Sequence, residues 1–245
     1  MIIYFSATGN CQYVCQRISA ATGDKMISML DCINENNYEF NDEVIGIVTP
    51  TYDYTLPTVT REFLQNAKLH AEYLYFVATY GTSPGGTAQH AKKALGKAFN
   101  AYYSVRMADT WTPTFDLSTP DKVAGFTATT ESEIEKVIEK VKNRAEGQFM
   151  DHRAPAFFAS IGKALYENTR KTKHLWVEDS CIGCGLCARK CPVQAIEMKN
   201  KKPVWVKDQC AMCLGCLHRC PKFAIQYGNG KTKLHGQYTN PHVKV

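Results

Sequence analysis

The 245-residue sequence contains no apolar run that approaches the roughly 18 residues needed to span a membrane. Its opening residues include no lysine or arginine and only a short apolar run, unlike a secretory signal. Nothing in the pattern therefore predicts export or membrane insertion. We expect a cytoplasmic protein with no membrane partner.

The sequence also lacks the usual pattern of a nucleic-acid-binding protein, although one half of the chain is basic. Residues 1–150 have a net charge of −4 and residues 151–245 one of +10, which together give the +6 of the chain. A basic half commonly indicates an anionic partner. Here, however, no stacking aromatic residues alternate with the basic ones in a recognisable module. We expect no nucleic acid among the partners.

Cysteine, by contrast, is abundant. The chain has 11 cysteines, and most of them form two copies of the pattern Cys-x-x-Cys-x-x-Cys-x-x-x-Cys-Pro. The first copy contains Cys181, Cys184, Cys187 and Cys191, and the second contains Cys210, Cys213, Cys216 and Cys220. A disulfide framework would need an oxidising compartment. Structural zinc usually takes paired Cys-x-x-Cys arms without a third cysteine and a repeated Cys-Pro.

The repeated pattern resembles the cysteine run of bacterial ferredoxins, in which the fourth cysteine of each copy binds the cluster of the other copy. The resemblance implies two [4Fe–4S] clusters. Cluster one would be held by Cys181, Cys184, Cys187 and Cys220, and cluster two by Cys210, Cys213, Cys216 and Cys191. Strand-like apolar segments at residues 193–198 and 223–227 would close the two halves of a small α+β domain.

Five apolar runs in the first half of the chain alternate with helical patterns. Such alternation predicts an α/β doubly wound parallel sheet. The predicted strands cover residues 1–5, 25–30, 44–48, 73–78 and 102–107. Helices are predicted up to Gly23 and at residues 58–67, 87–99 and 130–149. Residues 108–129 are interpreted as a loop insertion, which either covers a ligand or lies on the surface.

Three polar loops follow the first, third and fourth predicted strands. In a doubly wound sheet they lie at the carboxyl ends of the strands, where ligands bind. The first, at residues 6–11, contains a glycine and opens a helix, so it can present backbone N–H groups to a phosphate. An ordinary helix cap is the alternative. The absence of Gly-Lys-Ser/Thr excludes a Walker loop.

These loops resemble the phosphate loop and the two isoalloxazine loops of flavodoxins, which implies FMN and the five-strand order 2-1-3-4-5. The residues carried over are Ser6, Thr8, Gly9, Asn10, Cys11, Thr49, Pro50, Thr51, Tyr52, Tyr54, Thr79, Tyr80, Gly81 and Gly85. The three tyrosines would flank the flavin ring, or else pack within their loops. Flavodoxins usually have threonine in place of Cys11. Because a thiol is a weak donor, we expect a structural donor there rather than a redox nucleophile.

Residues 153–174 are predicted to be a helical linker between a domain at residues 1–152 and one at residues 175–245. An apolar stripe at helical spacing predicts the packing face of this helix; it consists of Phe157, Phe158, Ile161 and Leu165. The polar tail at residues 235–241 is expected to lie back on the first domain. His218, inside the second cysteine copy, is interpreted as a solvated loop residue.

Taken whole, the sequence resembles the flavodoxin–ferredoxin fusion family of anaerobes. This implies electron transfer among two [4Fe–4S] clusters, FMN and a redox protein partner, such as a ferredoxin reductase or another oxidoreductase. A homodimer is left open. One alternative is a flavin-dependent reductase of a small organic substrate, for which Asp53 is the only acid in the flavin loops. Another is a non-redox scaffold or sensor. We expect an electron carrier, and assign no catalytic residue.

Overall fold

The computed structural model describes residues 1–150 and 156–245, with the side chains of residues 156–161 and 163 outside the description. The first half alternates strands and helices. The strands are β1 (Ile2–Tyr4), β2 (Met26–Ser28), β3 (Glu39–Asn41), β4 (Val44–Pro50), β5 (Lys68–His70), β6 (Tyr73–Tyr80), β7 (Ala101–Arg106) and β8 (Gly147–Phe149). The helices are α1 (Asn10–Thr22), α2 (Met29–Asn34), α3 (Thr58–Asn66), α4 (Thr87–Leu95), α5 (Pro120–Thr127) and α6 (Thr130–Lys142).

One parallel sheet has the strand order β2-β1-β4-β6-β7-β8. Its first five members are the five predicted strands in the predicted order 2-1-3-4-5, so the α/β fold class is confirmed. Strands β4 and β6 occupy the middle and are buried on both faces. This is why their sequences are continuous apolar runs rather than alternating ones. Strands β3 and β5 form a separate short parallel pair.

The core lies on both faces of this sheet. On one face, Ile3 and Ile47 pack with Phe63 of α3. On the other, Ile2 packs with Val14 of α1 and with the buried stripe of α6. Adjacent residues of β1 thus serve opposite faces, as the two-residue period of a strand requires. The loops that follow the strands lie at the carboxyl edge of the sheet.

The predicted helix at residues 130–149 is wrong in its last part. Helix α6 ends at Lys142, and β8 adds a sixth parallel strand beside β7. Arg144 has a φ of 47° and Gly147 one of 129°, which a continuing helix does not allow. Phe149 is held by a stacked contact with Tyr103 of β7, with ring centroids 5.4 Å apart.

Two short helices replace predicted strand or loop. Helix α2 begins inside the predicted strand at residues 25–30, because the Ser28 hydroxyl accepts a hydrogen bond from the Leu30 N–H and starts a helix there. Helix α5 lies inside the predicted loop at residues 108–129. Thr119 caps it and Pro120 occupies its first turn, a combination that favours a helix start.

The second half contains short elements around the two cysteine repeats. They are α7 (Ala156–Thr169), a 3-10 turn (Thr172–His174), β9 (Leu175–Val177), α8 (Leu186–Arg189), β10 (Ile196–Lys199), β11 (Lys202–Trp205), α9 (Gly215–His218), β12 (Ile225–Tyr227) and α10 (Lys231–His235). Strands β10 and β11 form an antiparallel pair, and β12 pairs antiparallel with β9. The predicted small α+β unit is confirmed.

Among the described residues, no helix combines the length and the apolar character of a membrane span.

The predicted stripe of α7 can be compared with the structure only at Leu165, which is not on the packing face. Leu165 is 44% exposed, whereas Tyr166 is buried. Gly162 also faces inward, because a Cβ there would lie 2.5 Å from the Asp53 carbonyl oxygen. The stripe residues Phe157, Phe158 and Ile161 lie outside the described side chains. Gly162 and Tyr166, four residues apart, therefore both lie on the inward side of the helix.

Candidate functional site

A cavity of about 290 Å³ lies where β1, β4, β6 and β7 end. All three predicted ligand loops contribute to it, together with the loop after β7, helix α7 and the second cysteine loop. The predicted residues in its wall are Ser6, Thr8, Asn10, Cys11, Pro50, Thr51, Tyr52, Tyr54, Thr79, Tyr80 and Gly81. For residues 108–129 two alternatives were left open, covering a ligand or lying on the surface. The first part of the segment lies at this edge, with Ala108, Asp109, Thr110, Trp111, Thr114 and Phe115 in the cavity wall.

The first loop is shaped to present backbone N–H groups. The Ser6 hydroxyl accepts a hydrogen bond from the Gly9 N–H at 3.1 Å, and Gly9 has a φ of 96° immediately before α1. Such left-handed backbone before a helix favours glycine. A loop of this form at a helix N-terminus suits a phosphate group.

Cys11 is buried in the first turn of α1, with its Sγ 3.1 Å from the Thr79 hydroxyl. Burial raises the pKa of the thiol to about 12, so it is uncharged near neutral pH. This favours the structural role over the redox nucleophile, because the thiolate is the reactive form. Cys15 and Cys32 are also buried and pack in the two cores.

The second loop contains a two-residue turn. Tyr52 and Thr55 exchange backbone hydrogen bonds of 3.0 and 2.9 Å, and Asp53 and Tyr54 between them have φ values of 45° and 61°. Positive φ at both central positions is the tight hairpin geometry. The third loop is fixed to this turn, because the Gly86 N–H donates to the Tyr54 carbonyl at 2.8 Å. The two loops therefore present one wall.

Three predicted residues do not line the cavity. The Thr49 hydroxyl is buried against the Thr60 hydroxyl at 2.7 Å. Gly85 lies beneath Tyr54, whose carbonyl oxygen would be 2.3 Å from an added Cβ. Gly9 faces the C-terminal tail, since an added Cβ would meet Val243 at 2.5 Å. Each lies against another part of the protein instead of forming the wall.

Several wall residues were missed, among them Asp109, Trp111, Tyr166, Met212 and Leu214. Trp111 had a usable signal, as a tryptophan in a loop that follows a strand at the ligand edge. The last three had none, because they reach the cavity only through the packing of the second half against the first.

Two carboxyls face the cavity with raised pKa values. Burial raises the pKa of Asp53, whose carboxylate accepts from the Thr169 hydroxyl. Burial also raises the pKa of Asp109, which accepts from the Trp111 N–H at 3.1 Å and the Thr82 hydroxyl at 3.2 Å. Both groups hold a proton to higher pH than a free carboxyl.

The eight repeat cysteines gather around two hollows. One is lined by Cys181, Cys184, Cys187 and Cys220, and the other by Cys191, Cys210, Cys213 and Cys216. These are the two predicted ligand sets, including the exchange of the fourth cysteine. Among the described residues, no three such side chains converge on a single-ion site. The cysteines surround hollows instead.

Backbone donors in these loops fit thiolate ligands. Cys191, Cys210 and Cys220 each receive a backbone N–H at 3.2 to 3.3 Å, from Ala195, Met212 and Ala224 respectively. Such donors stabilise negative charge on sulfur. Each hollow with its four cysteines is called a cage below: the cluster-one cage holds Cys181, Cys184, Cys187 and Cys220, and the cluster-two cage holds Cys191, Cys210, Cys213 and Cys216. The residues present fit a [4Fe–4S] cluster in each cage.

His218 corrects a prediction, because it is 4% exposed rather than solvated. Its Nε2 lies 2.8 Å from the Thr110 carbonyl, and its Nδ1 accepts from the Tyr238 N–H at 3.1 Å. Burial lowers its pKa to about 4, so the ring is neutral. It joins α9 to the loop after β7 and to the tail, which leaves no room for solvent.

Two family models match the chain. A flavodoxin domain covers residues 1–130, and a 4Fe-4S binding domain covers residues 174–197. The chain belongs to the flavodoxin family. The fusion of an N-terminal flavodoxin domain with a C-terminal ferredoxin-type domain is confirmed. With these two domains, it is a flavin and iron–sulfur electron-transfer protein. The second match covers the first cysteine repeat.

Among solved structures, the chain is similar to Trp repressor binding protein from Bacillus subtilis. The identity is 12%, the match covers 59% of this chain and 98% of that chain, and the TM-score is 0.38. Two-electron reduced Megasphaera elsdenii flavodoxin has 18% identity, with 55% and 97% covered and a TM-score of 0.31. The comparison with curated proteins finds no match.

Proposed function

We propose that the protein carries electrons between a redox protein, two [4Fe–4S] clusters and FMN, with cluster two adjacent to the flavin. One observation carries this proposal: the cluster-two ligand Cys213 lines the flavin cavity, together with its neighbours Met212 and Leu214. Bound clusters and flavin supply the electron-transfer chemistry. The chain holds their sites together, so that exchange between them needs no diffusional encounter.

Two buried side chains support a fixed separation between these sites. The Tyr166 hydroxyl donates to the Ala211 carbonyl of the second cysteine loop at 2.7 Å, and the Thr58 N–H at the start of α3 donates to the same hydroxyl at 3.4 Å. His218 makes the second connection, to Thr110. Because both lie in water-excluded packing, they favour one arrangement over a range of separations.

The cage of cluster one supports a docking face for the redox partner. Ile182 within its loop is 59% exposed, and Cys184 is exposed. Two lysines beside this cage, Lys201 and Lys222, are exposed and have no ion-pair partner among the described residues. An apolar contact within a cationic rim favours an acidic redox protein, because opposite charge steers the encounter.

Binding of an acidic bacterial ferredoxin tests the docking face. We expect Lys201→Glu with Lys222→Glu to weaken its binding on the order of tenfold at low salt, with the difference lost at about 1 M salt. The matched control is Lys92→Glu with Lys93→Glu on exposed positions of α4. Equal weakening by both pairs would indicate a net-charge effect and contradict a specific face.

The cofactors themselves give the central test. Protein purified without oxygen should contain about eight iron, about eight sulfide and about one FMN per chain. Stepwise photoreduction should reduce both the clusters and the flavin. Half the iron would contradict the second cluster, and a flavin that stays oxidised beside reduced clusters would contradict electron exchange.

One observation favours the reductase as a second candidate. Asp53 and Asp109 both face the cavity with raised pKa values and could supply protons to a reduced product. Against it, about 290 Å³ is at the lower end of small-molecule pockets, which span roughly 300–1,000 Å³. Turnover of organic acceptors that falls in Asp109→Asn would support the reductase.

A further inference from the structure

The C-terminal tail crosses from the ferredoxin half to the phosphate loop and is bonded along its length. His235 accepts the Leu117 N–H at 2.8 Å through its carbonyl, and its Nδ1 lies 2.7 Å from the Thr112 carbonyl. The Gln237 amide donates to the carbonyls of Leu217 at 2.6 Å and Cys220 at 2.9 Å. The tail therefore contacts both the loop after β7 and the cluster-two helix α9.

The next residues bond the phosphate loop directly. The Asn240 N–H donates to the Thr8 carbonyl at 2.7 Å, and its side-chain amide donates to Asn10 Oδ1 at 3.2 Å. The Tyr238 hydroxyl lies 3.1 Å from the same Asn10 oxygen. Tyr238, Asn240 and Asn10 are all buried. Two side chains of the tail thus converge on one residue of the loop.

The carboxamide of Asn10 makes three hydrogen bonds within the protein. Its Nδ2 donates to the Ala108 carbonyl at 3.1 Å, while its oxygen takes both tail donors. The flavodoxin resemblance places Asn10 in the phosphate loop, and these bonds leave only the second N–H of its amide for a phosphate. Its role is to hold the loop between the tail and the loop after β7.

Gly9 meets the tail on its outer side. An added Cβ would lie 2.5 Å from Val243 Cγ2 and 3.0 Å from Asn240 Cβ. Next along α1, the Tyr13 ring stacks on His242 with centroids 4.7 Å apart. The tail thus packs against the back of the loop, while Ser6 and Thr8 of the same loop face the cavity.

We propose that the tail is a structural part of the FMN phosphate site: it fixes the loop in its binding conformation and ties it to the cluster-two helix. This inference rests on the proposed function, since it assumes that FMN occupies the cavity. A loop already ordered by the tail loses less conformational freedom when the phosphate binds. His218 extends the connection, because it accepts from the Tyr238 N–H.

The test compares FMN with riboflavin, which lacks the phosphate, on cluster-loaded protein. We expect the double variant Tyr238→Phe with Asn240→Ala to weaken FMN binding about tenfold to hundredfold, because two buried hydrogen bonds to Asn10 are lost. Riboflavin binding should change less than about twofold. The matched control is Lys244→Ala, which alters an exposed residue of the same tail. Flavin fluorescence quenching gives the dissociation constants.

Two results would overturn the inference. One is unchanged FMN affinity in a double variant that keeps its cluster absorption. The other is equal weakening of FMN and riboflavin, which would indicate general loosening of the fold. Failure of the proposed function looks different in the unaltered protein, which would then either bind neither flavin or bind a flavin that stays oxidised beside reduced clusters.

Discussion

The two cysteine loops share one pattern but have opposite surroundings. Residues 181–190, which form the cluster-one loop, include no buried residue. Residues 210–219, which form the cluster-two loop, are mostly buried; the buried ones are Ala211, Met212, Leu214, Gly215, Leu217 and His218. The repeated pattern dictates the cage, while contacts outside the pattern decide which cage meets solvent and which meets the flavin cavity.

The backbone repeats even where the side chains do not. In the first loop the left-handed positions are Gly183 and Gly185, with φ values of 69° and 73°. In the second loop the same positions hold Met212 and Leu214, with φ values of 47° and 49°. Bulky residues in this region are unusual, and such strain concentrates at functional sites. Both side chains are buried in the wall of the flavin cavity, which offsets the strain.

The largest expected effect is on flavin reduction, and it should differ between variants of the two cages. Cys184→Ser and Cys213→Ser should each remove about half of the iron, since each loses one ligand of one cluster. Only Cys213→Ser should stop the flavin from being reduced together with the remaining cluster, because Cys213 is the ligand at the cavity. Iron analysis and photoreduction spectra measure both effects. Flavin reduction that is lost equally in both variants would break the comparison.

The next effect is on stability and concerns Leu214, whose backbone is in the left-handed region. Leu214→Ala should destabilise the protein by about 3 kcal/mol, because it leaves a cavity in a buried site. Leu214→Gly removes a little more of the side chain but relieves about 1 kcal/mol of backbone strain. We therefore expect the glycine variant to be more stable than the alanine variant. Thermal midpoints of the cluster-loaded proteins give the order, and a less stable glycine variant would contradict the strain.

A substitution at Tyr166 tests how the buried second cysteine loop is held, with a smaller expected change in stability. Tyr166→Phe leaves the Ala211 carbonyl without its donor, at a cost of about 1 to 3 kcal/mol. The control is Tyr38→Phe, a half-buried tyrosine that packs against the Phe63 ring in the first-half core. Its thermal midpoint should hardly change. A Tyr166→Phe protein as stable as the control would show that the hydroxyl does not hold the second loop.

The sequence predicts what depends on local pattern and fails where distant segments meet. The cysteine spacing is sufficient to give both cages, since each ligand set follows from one repeat and its exchanged fourth cysteine. The sheet follows from the apolar runs, and the cavity from the loops after them. By contrast, His218 and Tyr166 are buried only because the two halves pack together. Neither residue has a periodicity that reports a contact more than 40 positions away.

The smallest expected effect is on the pH dependence of stability, compared between Asp109 at the cavity and Asp116 at the surface. The pKa of Asp109 is raised from 3.8 by burial, so the native state binds this proton more tightly than the unfolded chain. Its stabilising contribution is complete below pH 3.8 and is lost as the pH rises through the native pKa. Asp109→Asn keeps an acceptor for the Trp111 N–H but cannot ionise. Relative to the unaltered protein, this variant should gain stability with rising pH.

Asp116 should behave in the opposite way, because its hydrogen bond with Lys122 lowers the pKa of its carboxyl. Its contribution is present above the unfolded pKa and is lost as the pH falls. Asp116→Asn should therefore lose stability relative to the unaltered protein as the pH rises. Thermal midpoints across the acid-to-neutral range measure both slopes. Two slopes of the same sign would contradict the difference between the desolvated carboxyl at the cavity and the carboxyl that is paired with Lys122.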